Sequence, residues 1–485
     1  MMRKCIAAYG ITLMLGVMLA LASPPAAAQA QQAANPPYSL AEYNAYQGAA
    51  GQTNPQAKLL SCDDFVAKFP KSVLIPLIDE LYYNAYNQAK NYPKVIESVD
   101  QFMAIPDDSF TKLNITKEAL LGKRLTALYY RALAFNQSFK ETDPNAQDEL
   151  AKARQNALQG LTMLGQLAKP AAMTDDQFAQ QKKPLVILFN YTAGSAAYQT
   201  KDYKAAIDSF NAELTENTTD AATYFRVGVA YLQLAAKQTP QAPSAGSTPP
   251  ATPPAGAAAD PADQQQATDL YFNGFWDVAR AIGLKGQGEA QMRSYLRAQM
   301  FNYEQPACGT LLDQQMDELI QLATNAPTRP ATYSIPSATD LGKVLQASNL
   351  LSILGDLQTG GDKGKTTWLA ACGQEIPNVV GKIIDVAPSA DNSTVDIKVF
   401  TAATGEAIMA GTAANLDVTV AGQPEAATLE KGNQIKFTGT LQKYDAQPLL
   451  VYFEKGKVDP SSFPTEKKEK VPGKKKPGGA GRGRG

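Results

Sequence analysis

The stretch Tyr191-Thr192-Ala193-Gly194-Ser195-Ala196-Ala197-Tyr198-Gln199-Thr200-Lys201-Asp202-Tyr203-Lys204-Ala205-Ala206-Ile207-Asp208-Ser209-Phe210 decides the fold. Small and apolar residues recur at helical spacing on both sides of Lys201-Asp202, so it spells two helices joined by a turn. Aligning Gly194 with Gly228 puts a second segment in register, with Tyr224, Val227, Gly228 and Tyr231 one 34-residue period later. A period of this length has a physical meaning. One helix hairpin cannot bury its apolar face alone, so successive hairpins stack.

Earlier segments follow the same plan. Ser39 to Ala50 and Pro55 to Phe69 read as a first hairpin, closed by Phe65-x-x-x-Phe69-Pro70-x-Ser72, where proline stops the helix. Leu74 to Lys90 and Pro93 to Met103 form the next, and its turn Lys90-Asn91-Tyr92 matches Lys201-Asp202-Tyr203. Thr116 to Phe139 and Asn145 to Leu167 are longer helices, followed by Gln177 to Gln199, Tyr203 to Leu214 and Ala221 to Ala236. The pattern aromatic–Gly–Tyr, then alanine and an aromatic on the second helix, resembles the tetratricopeptide repeat. That resemblance implies a solenoid over 31–237 whose first helices line a groove, in a class of protein that generally binds and rarely catalyses. It places Tyr191, Tyr198 and Gln199, with Phe225 and Gln233 of the next unit, in a partner-binding groove. Rings supply contact area and amides meet backbone groups, which suits a protein or extended-peptide ligand.

The repeat is then interrupted. Residues 238–262 are rich in Pro, Ala and Ser and almost uncharged, a composition that reads as a disordered linker. The expected reading is a long loop inside one hairpin, with Gln264 to Ile282 as the delayed second helix and Phe272 and Trp276 packing back onto Tyr224 and Tyr231. A domain boundary at this point is the alternative. Residues 263–358 continue the helical part, with Gly288 to Tyr303, Thr310 to Thr324 and Ser337 to Leu357 as helices. Residues 359–375 are expected to be a connecting loop. Within them, Thr359-Gly360-Gly361-Asp362-Lys363-Gly364-Lys365-Thr366 is near a phosphate-binding loop but lacks its first glycine and follows a helix, so no nucleotide is expected.

From Ile376 the apolar period becomes two. Val379 to Val386, Thr394 to Phe400, Asn415 to Val420, Gln434 to Leu441 and Leu449 to Lys457 read as five strands within 376–458. The passage Leu429 to Gly439, with its Lys431-Gly432 turn, resembles the fourth strand of an OB-fold barrel; a small sandwich is the alternative. The OB likeness implies binding loops at Pro388 to Ser393 and Gln442 to Pro448, where Lys443 and Tyr444 suit a polyanion. The fold class is therefore mainly α: a helical-hairpin solenoid followed by a small five-stranded β-barrel.

Residues 1–30 read as a secretory signal peptide: Arg3 and Lys4, an apolar run from Ile11 to Ala22, and Ala28-Gln29-Ala30. This implies export to a bacterial periplasm or cell envelope; an uncleaved anchor is the alternative. After cleavage Cys62, Cys308 and Cys372 remain. Cys308 with Cys372 is the favoured pair, since both lie in the C-terminal half and Cys62 sits mid-pattern on a repeat helix; three buried thiols are the alternative. The chain has no histidine, which removes Ser-His-Asp and Cys-His catalysis and histidine-containing zinc sites. The pairs Asp63-Asp64, Asp107-Asp108 and Asp175-Asp176 read as helix starts or polar faces. No catalytic residue, cofactor or metal site is assigned.

Charge is uneven. Gln31 to Pro464 holds 35 Lys/Arg against 44 Asp/Glu, whereas Thr465 to Gly485 holds 8 against 2. The stretch 459–485 is thus a basic tail, with Lys467, Lys468, Lys470, Lys474, Lys475, Lys476, Arg482 and Arg484 as its polyanion-binding residues for an anionic polymer or membrane surface. Taken together, the residues point to an exported, non-enzymatic scaffold that binds protein or peptide through its groove. The alternative is a polyanion- or glycan-binding envelope protein using the barrel and tail.

Overall fold

The computed structural model describes residues 36–238, 261–306, 308–391 and 393–463. The expected signal peptide, nearly all of the Pro/Ala-rich segment and every basic tail residue named above lie outside them. The described chain divides into two compact units, Met1–Leu296 with Met316–Ser334, and Arg297–Gln315 with Ile335–Gly485.

In the first unit, helices follow one another as α1 (Leu40–Ala50), α2 (Pro55–Lys68), α3 (Ile75–Gln88), α4 (Tyr92–Met103), the short α5 (Asp107–Thr111), α6 (Lys117–Ser138), α7 (Ala146–Gln166), α8 (Asp175–Gln199), α9 (Tyr203–Glu216), α10 (Ala221–Gln238) and α11 (Pro261–Gly283). Both α12 (Glu289–Glu304) and α13 (Thr310–Asn325) are divided between the units. Capping is explicit in the sequence. Ser39 with Glu42, and Thr174 with Gln177, form reciprocal capping boxes that satisfy N-terminal backbone donors of α1 and α8.

The turns repeat as the sequence does. Lys90 and Lys201 both adopt positive φ, 56° and 62°, and the next residue's N–H reaches back to Tyr86 O and Ala197 O, both at 2.9 Å. This is the Schellman closure, in which a left-handed residue lets the chain satisfy the last helical carbonyls. Lys285 ends α11 in the same way, with φ 55° and Gly286 N bonded to Ala281 O.

Helix packing turns on glycine. A Cβ on Gly194 would lie 2.7 Å from the ring of Phe210 on α9. A Cβ on Gly228 would lie 2.9 Å from Gly274 O and Val278 N on α11, so these backbones approach closely. The pair Gly194 and Gly228 that sets the sequence register therefore occupies equivalent positions, each where a first helix receives its second. Helix α11 is the delayed partner of α10, on the far side of the insertion. The ring contacts of Phe272 and Trp276 differ in part from the expectation: both meet Tyr333 edge-on, at 6.1 and 5.6 Å. Tyr224 instead carries the guanidinium of Arg280, 4.9 Å from its ring centroid. Arg280 is buried and donates to Ala323 O at 2.8 Å, tying α11 to the C-terminal end of α13.

The second unit contains α14 (Ala338–Ala347), α15 (Leu350–Thr359), α16 (Gly361–Ala371), and strands β1 (Glu375–Pro388), β2 (Thr394–Phe400), β3 (Leu416–Ala421), β4 (Gln434–Ala446) and β5 (Leu449–Val458), with α17 (Gly405–Ala410) between β2 and β3. The strands close a barrel in the order β1-β2-β3-β5-β4, with β3 and β5 parallel. Strand β1 pairs with β2 along one half and β4 along the other, with a bulge between Ile383 and Asp385. Ile383, Ile397, Val399, Leu416, Val418, Phe437, Val451 and Phe453 point inward and are buried, following the period of two.

The expected loop over 359–375 is instead mostly helix α16. Gly360 and Gly361 both take positive φ and make a tight turn between α15 and α16, and Gly364 lets α16 approach Asp356 O, which a Cβ there would meet at 2.9 Å. Lys363 pairs with Asp356 at 2.7 Å. The glycines that imitate a phosphate loop thus serve a helix–helix turn. Ile353, Leu354, Leu357 and Trp368 of this hairpin share the barrel's core.

Two glycine classes give opposite expectations. Gly228→Ala should destabilise by about 1–3 kcal/mol through overpacking against α11 backbone. Gly122→Ala, where a Cβ meets nothing within 4 Å on α6, should stabilise by about 0.5–1 kcal/mol. Denaturant titration of both variants checks the pair.

Candidate functional site

The site is built on the first helices of consecutive hairpins, α6, α8, α10 and α12. Their side chains touch from helix to helix. Asn136 on α6 donates to Thr192 on α8 at 2.8 Å. Arg226 on α10 lies over Tyr191 on α8, 5.2 Å from the ring centroid. Phe225 on α10 meets Tyr295 on α12 edge-on at 5.7 Å, and the side chain of Gln233 lies beside the Tyr295 hydroxyl. Tyr198, at the end of α8, packs on Tyr203 at 5.8 Å. The ammonium of Lys237 lies 4.5 Å from the Tyr203 centroid and donates to Lys201 O at 3.2 Å.

Of the five residues assigned to the groove, Tyr191, Tyr198 and Phe225 are half-buried, and Gln199 and Gln233 are exposed. Tyr191, Tyr198, Phe225 and Gln233 are joined through shared neighbours, while Gln199 sits at the end of α8. The sequence reading missed Arg226, Lys237 and Tyr295. Arg226 directly follows Phe225 and could have been found by asking which residue the helix turns toward Tyr191. Tyr295 could not be reached by counting, because the 239–260 insertion breaks the 34-residue register.

Burial sets the protonation of this face. Tyr295 is pushed up to about 12, mainly by burial and further by the nearby Tyr198 phenol. Burial also raises Tyr191, against the pull of the Arg226 charge. Glu213 on α9 has no exposed surface. Burial raises its carboxyl to about 7, and Asp220 adds to the shift, while Asn217 donates to one oxygen at 3.1 Å and opposes it.

The other expected sites resolve differently. Lys443 and Tyr444 are not in a loop: the β4–β5 ladder continues to the Ala446–Leu449 pair, which leaves only Gln447-Pro448 as the turn. Tyr444 packs edge-on against Trp368 at 4.9 Å, and Lys443 lies over Tyr452, 4.4 Å from its centroid. Between β1 and β2, Asp391 accepts from Ser389 and Ser393, closing that turn on itself. Cys308 and Cys372 are joined by a disulfide with Cα atoms 5.7 Å apart, and Cys62 is a buried thiol. Asp107-Asp108 and Asp175-Asp176 occupy first turns of α5 and α8, where carboxylates complement the helix dipole. Asp63-Asp64 instead lies inside α2, with Asp63 accepting from Tyr82 and Asp64 paired with Lys68.

An open cleft beside α4 and α7 is lined by Ile96, Asp100, Gln101, Glu149 and Lys152 among others. Its carboxylates already have a structural task. Asp100 and Glu149 hold the buried guanidinium of Arg131, at 2.6 and 3.5 Å, and removing both would leave a buried charge uncompensated.

Glu213 gives a pH prediction. Its folded pKa is raised above the ordinary 4.5 to about 7, so the folded state holds the proton more tightly. The associated stability is complete below pH 4.5 and is lost as pH rises to about 7. The loss is on the order of 3 kcal/mol. Glu213→Gln should flatten this part of the stability–pH curve, measured by denaturant melts from pH 4.5 to 8.

Comparison of the chain with protein-family models, curated proteins and solved structures finds no match.

Proposed function

We propose that this protein is an exported, non-enzymatic scaffold of tetratricopeptide type that holds an extended peptide or protein segment against α8, α10 and α12, with an OB-like barrel as its second unit. The observation that supports this reading best is the line of half-buried rings and exposed amides that runs across three successive first helices: Tyr191, Tyr198, Phe225 and Tyr295, with Gln199 and Gln233. Partly exposed rings offer apolar area that is already ordered by neighbouring rings, so little side-chain entropy is lost on binding. Amides beside them can pair with the donors and acceptors of an extended backbone. Long basic or acidic side chains on the other faces are paired with one another, as in Lys204–Asp208 and Arg293–Asp317.

The test is site-specific photo-crosslinking in the full chain, in cells. A crosslinking residue at Gln199 or Gln233 should capture a partner. The same residue at Leu158, which is exposed on α7, should not. Capture of the same partner with equal yield from Leu158 would contradict the assignment of the groove.

A further inference from the structure

The hairpin of α12 and α13 has a tip that belongs with the barrel. The Arg297–Gln315 stretch falls in the second unit, and its half-buried Cys308 and Leu311 pack against the barrel's core. Cys308 is also fastened there covalently, to Cys372 just after α16. The chain between the two cysteines supplies α13 to α16, so the disulfide is a second covalent route from tip to barrel.

Each side of that bond is held by interactions of its own. On the tip, Arg297 of α12 grips Asp313 of α13 with two bonds, at 2.6 and 3.3 Å. Gln315, with its amide nitrogen turned to the carboxylate, donates to both oxygens of the buried Glu304, at 3.0 and 3.1 Å. On the barrel, the residues after Cys372 are bonded into the sheet. Gly373 N donates to Leu441 O at 2.7 Å, and Leu441 N donates to Gln374 O at 3.0 Å. None of these bonds uses a cysteine sulfur, so opening the disulfide leaves both sides built.

The two sulfurs are not equivalent. Cys372 has no exposed surface and Cys308 is half-buried, so a thiolate arriving from solvent meets Cys308 first. The Sγ of Cys372 lies 3.3 Å from Gln442 O on β4. In the disulfide that sulfur has no proton to give; as a thiol it donates to the carbonyl. The buried cysteine therefore has a hydrogen-bond acceptor in place for its reduced form. The second unit holds no third cysteine, and Cys62 lies in the core of the first, so exchange has no other thiol with which to shuffle the pair.

We propose that Cys308–Cys372 is a reversible redox clip that fastens the α12–α13 tip to the barrel and is opened by a dithiol reductant. One thiolate of the reductant attacks Sγ of Cys308, forming a mixed disulfide and expelling Cys372, which takes up a proton. The reductant's second thiolate then attacks the reductant sulfur of the mixed disulfide, and Cys308 leaves and takes up a proton. Two electrons pass to the protein, and the reductant departs as its own disulfide. Oxidised, tip and barrel are one piece. Reduced, the tip opens by a local step while the barrel stays closed.

The experiment treats the full-length protein with dithiothreitol in native buffer, caps thiols with iodoacetamide, and maps the caps by peptide mass. Amide hydrogen exchange is followed before reduction, after it, and after reoxidation with oxidised glutathione. Cys308 and Cys372 should both be capped while Cys62 is not. Exchange over Arg297–Gln315 should rise by about tenfold or more, β1 to β5 should change by less than about twofold, and reoxidation should restore the starting pattern. The Cys308→Ser variant should exchange like the reduced protein and ignore dithiothreitol; if it does not fold, the wild-type comparison still decides. Capping that appears only together with loss of protection across β1 to β5 would make the bond a structural staple and overturn the proposal. Complete reduction with unchanged exchange at the tip, or a change that reoxidation does not reverse, would overturn it as well.

Discussion

The close approach of paired helices at glycine is the constraint on which the first unit depends. At Gly228 the neighbouring atoms include backbone, Gly274 O and Val278 N, beside the Val278 side chain, and backbone cannot swing aside as a side chain can. At Gly194 the neighbour is Phe210, fully buried. These contacts fix the distance between first and second helices in two consecutive hairpins. They thereby fix where the opposite faces of α8 and α10 lie, and so how near Arg226 comes to Tyr191. The placement of these faces is in this sense a consequence of two missing methyl groups on the same helices.

Electrostatics gives the face its character. Several surface charges of the first unit are answered by a neighbour one helical turn away or on another helix, as in Lys68–Asp64 and Arg154–Asp202. Such exposed pairs contribute little stability. Arg226 and Lys237 are answered by rings instead. Beneath them, Glu213 titrates near neutrality because burial opposes its charge, so Arg226 faces a carboxyl that is largely neutral below pH 7.

Much of this was legible in the sequence, for reasons that differ by element. The five strands were readable because inward residues such as Ile397, Val399 and Val418 alternate with polar ones. The hairpin turns at Lys90 and Lys201 were readable because their Lys-Asn/Asp-Tyr triplets match. The register of Gly194 and Gly228 located the tightest packing. What failed had a physical cause in each instance. The glycines of Thr359–Thr366 suggested a loop, yet here they permit two helices to meet at a sharp turn. Lys443 and Tyr444 were assigned to a loop because the β4–β5 ladder runs further than its apolar alternation. Tyr295 was missed because it lies beyond an insertion that no repeat count can cross.

The central claim is that α10 and α11 form one hairpin across that insertion, so that the stack and its face are continuous. The direct measurement introduces a specific protease site within 239–260 of the full chain, cuts it completely, and follows the fragments by size exclusion under native conditions. The account predicts that the two fragments co-elute, because the Gly228–Gly274 contact, the bond from Arg280 to Thr218 O and the stacking of Arg280 on Tyr224 survive the cut. Fragments that separate while each remains folded would contradict it and would make the insertion a boundary between domains.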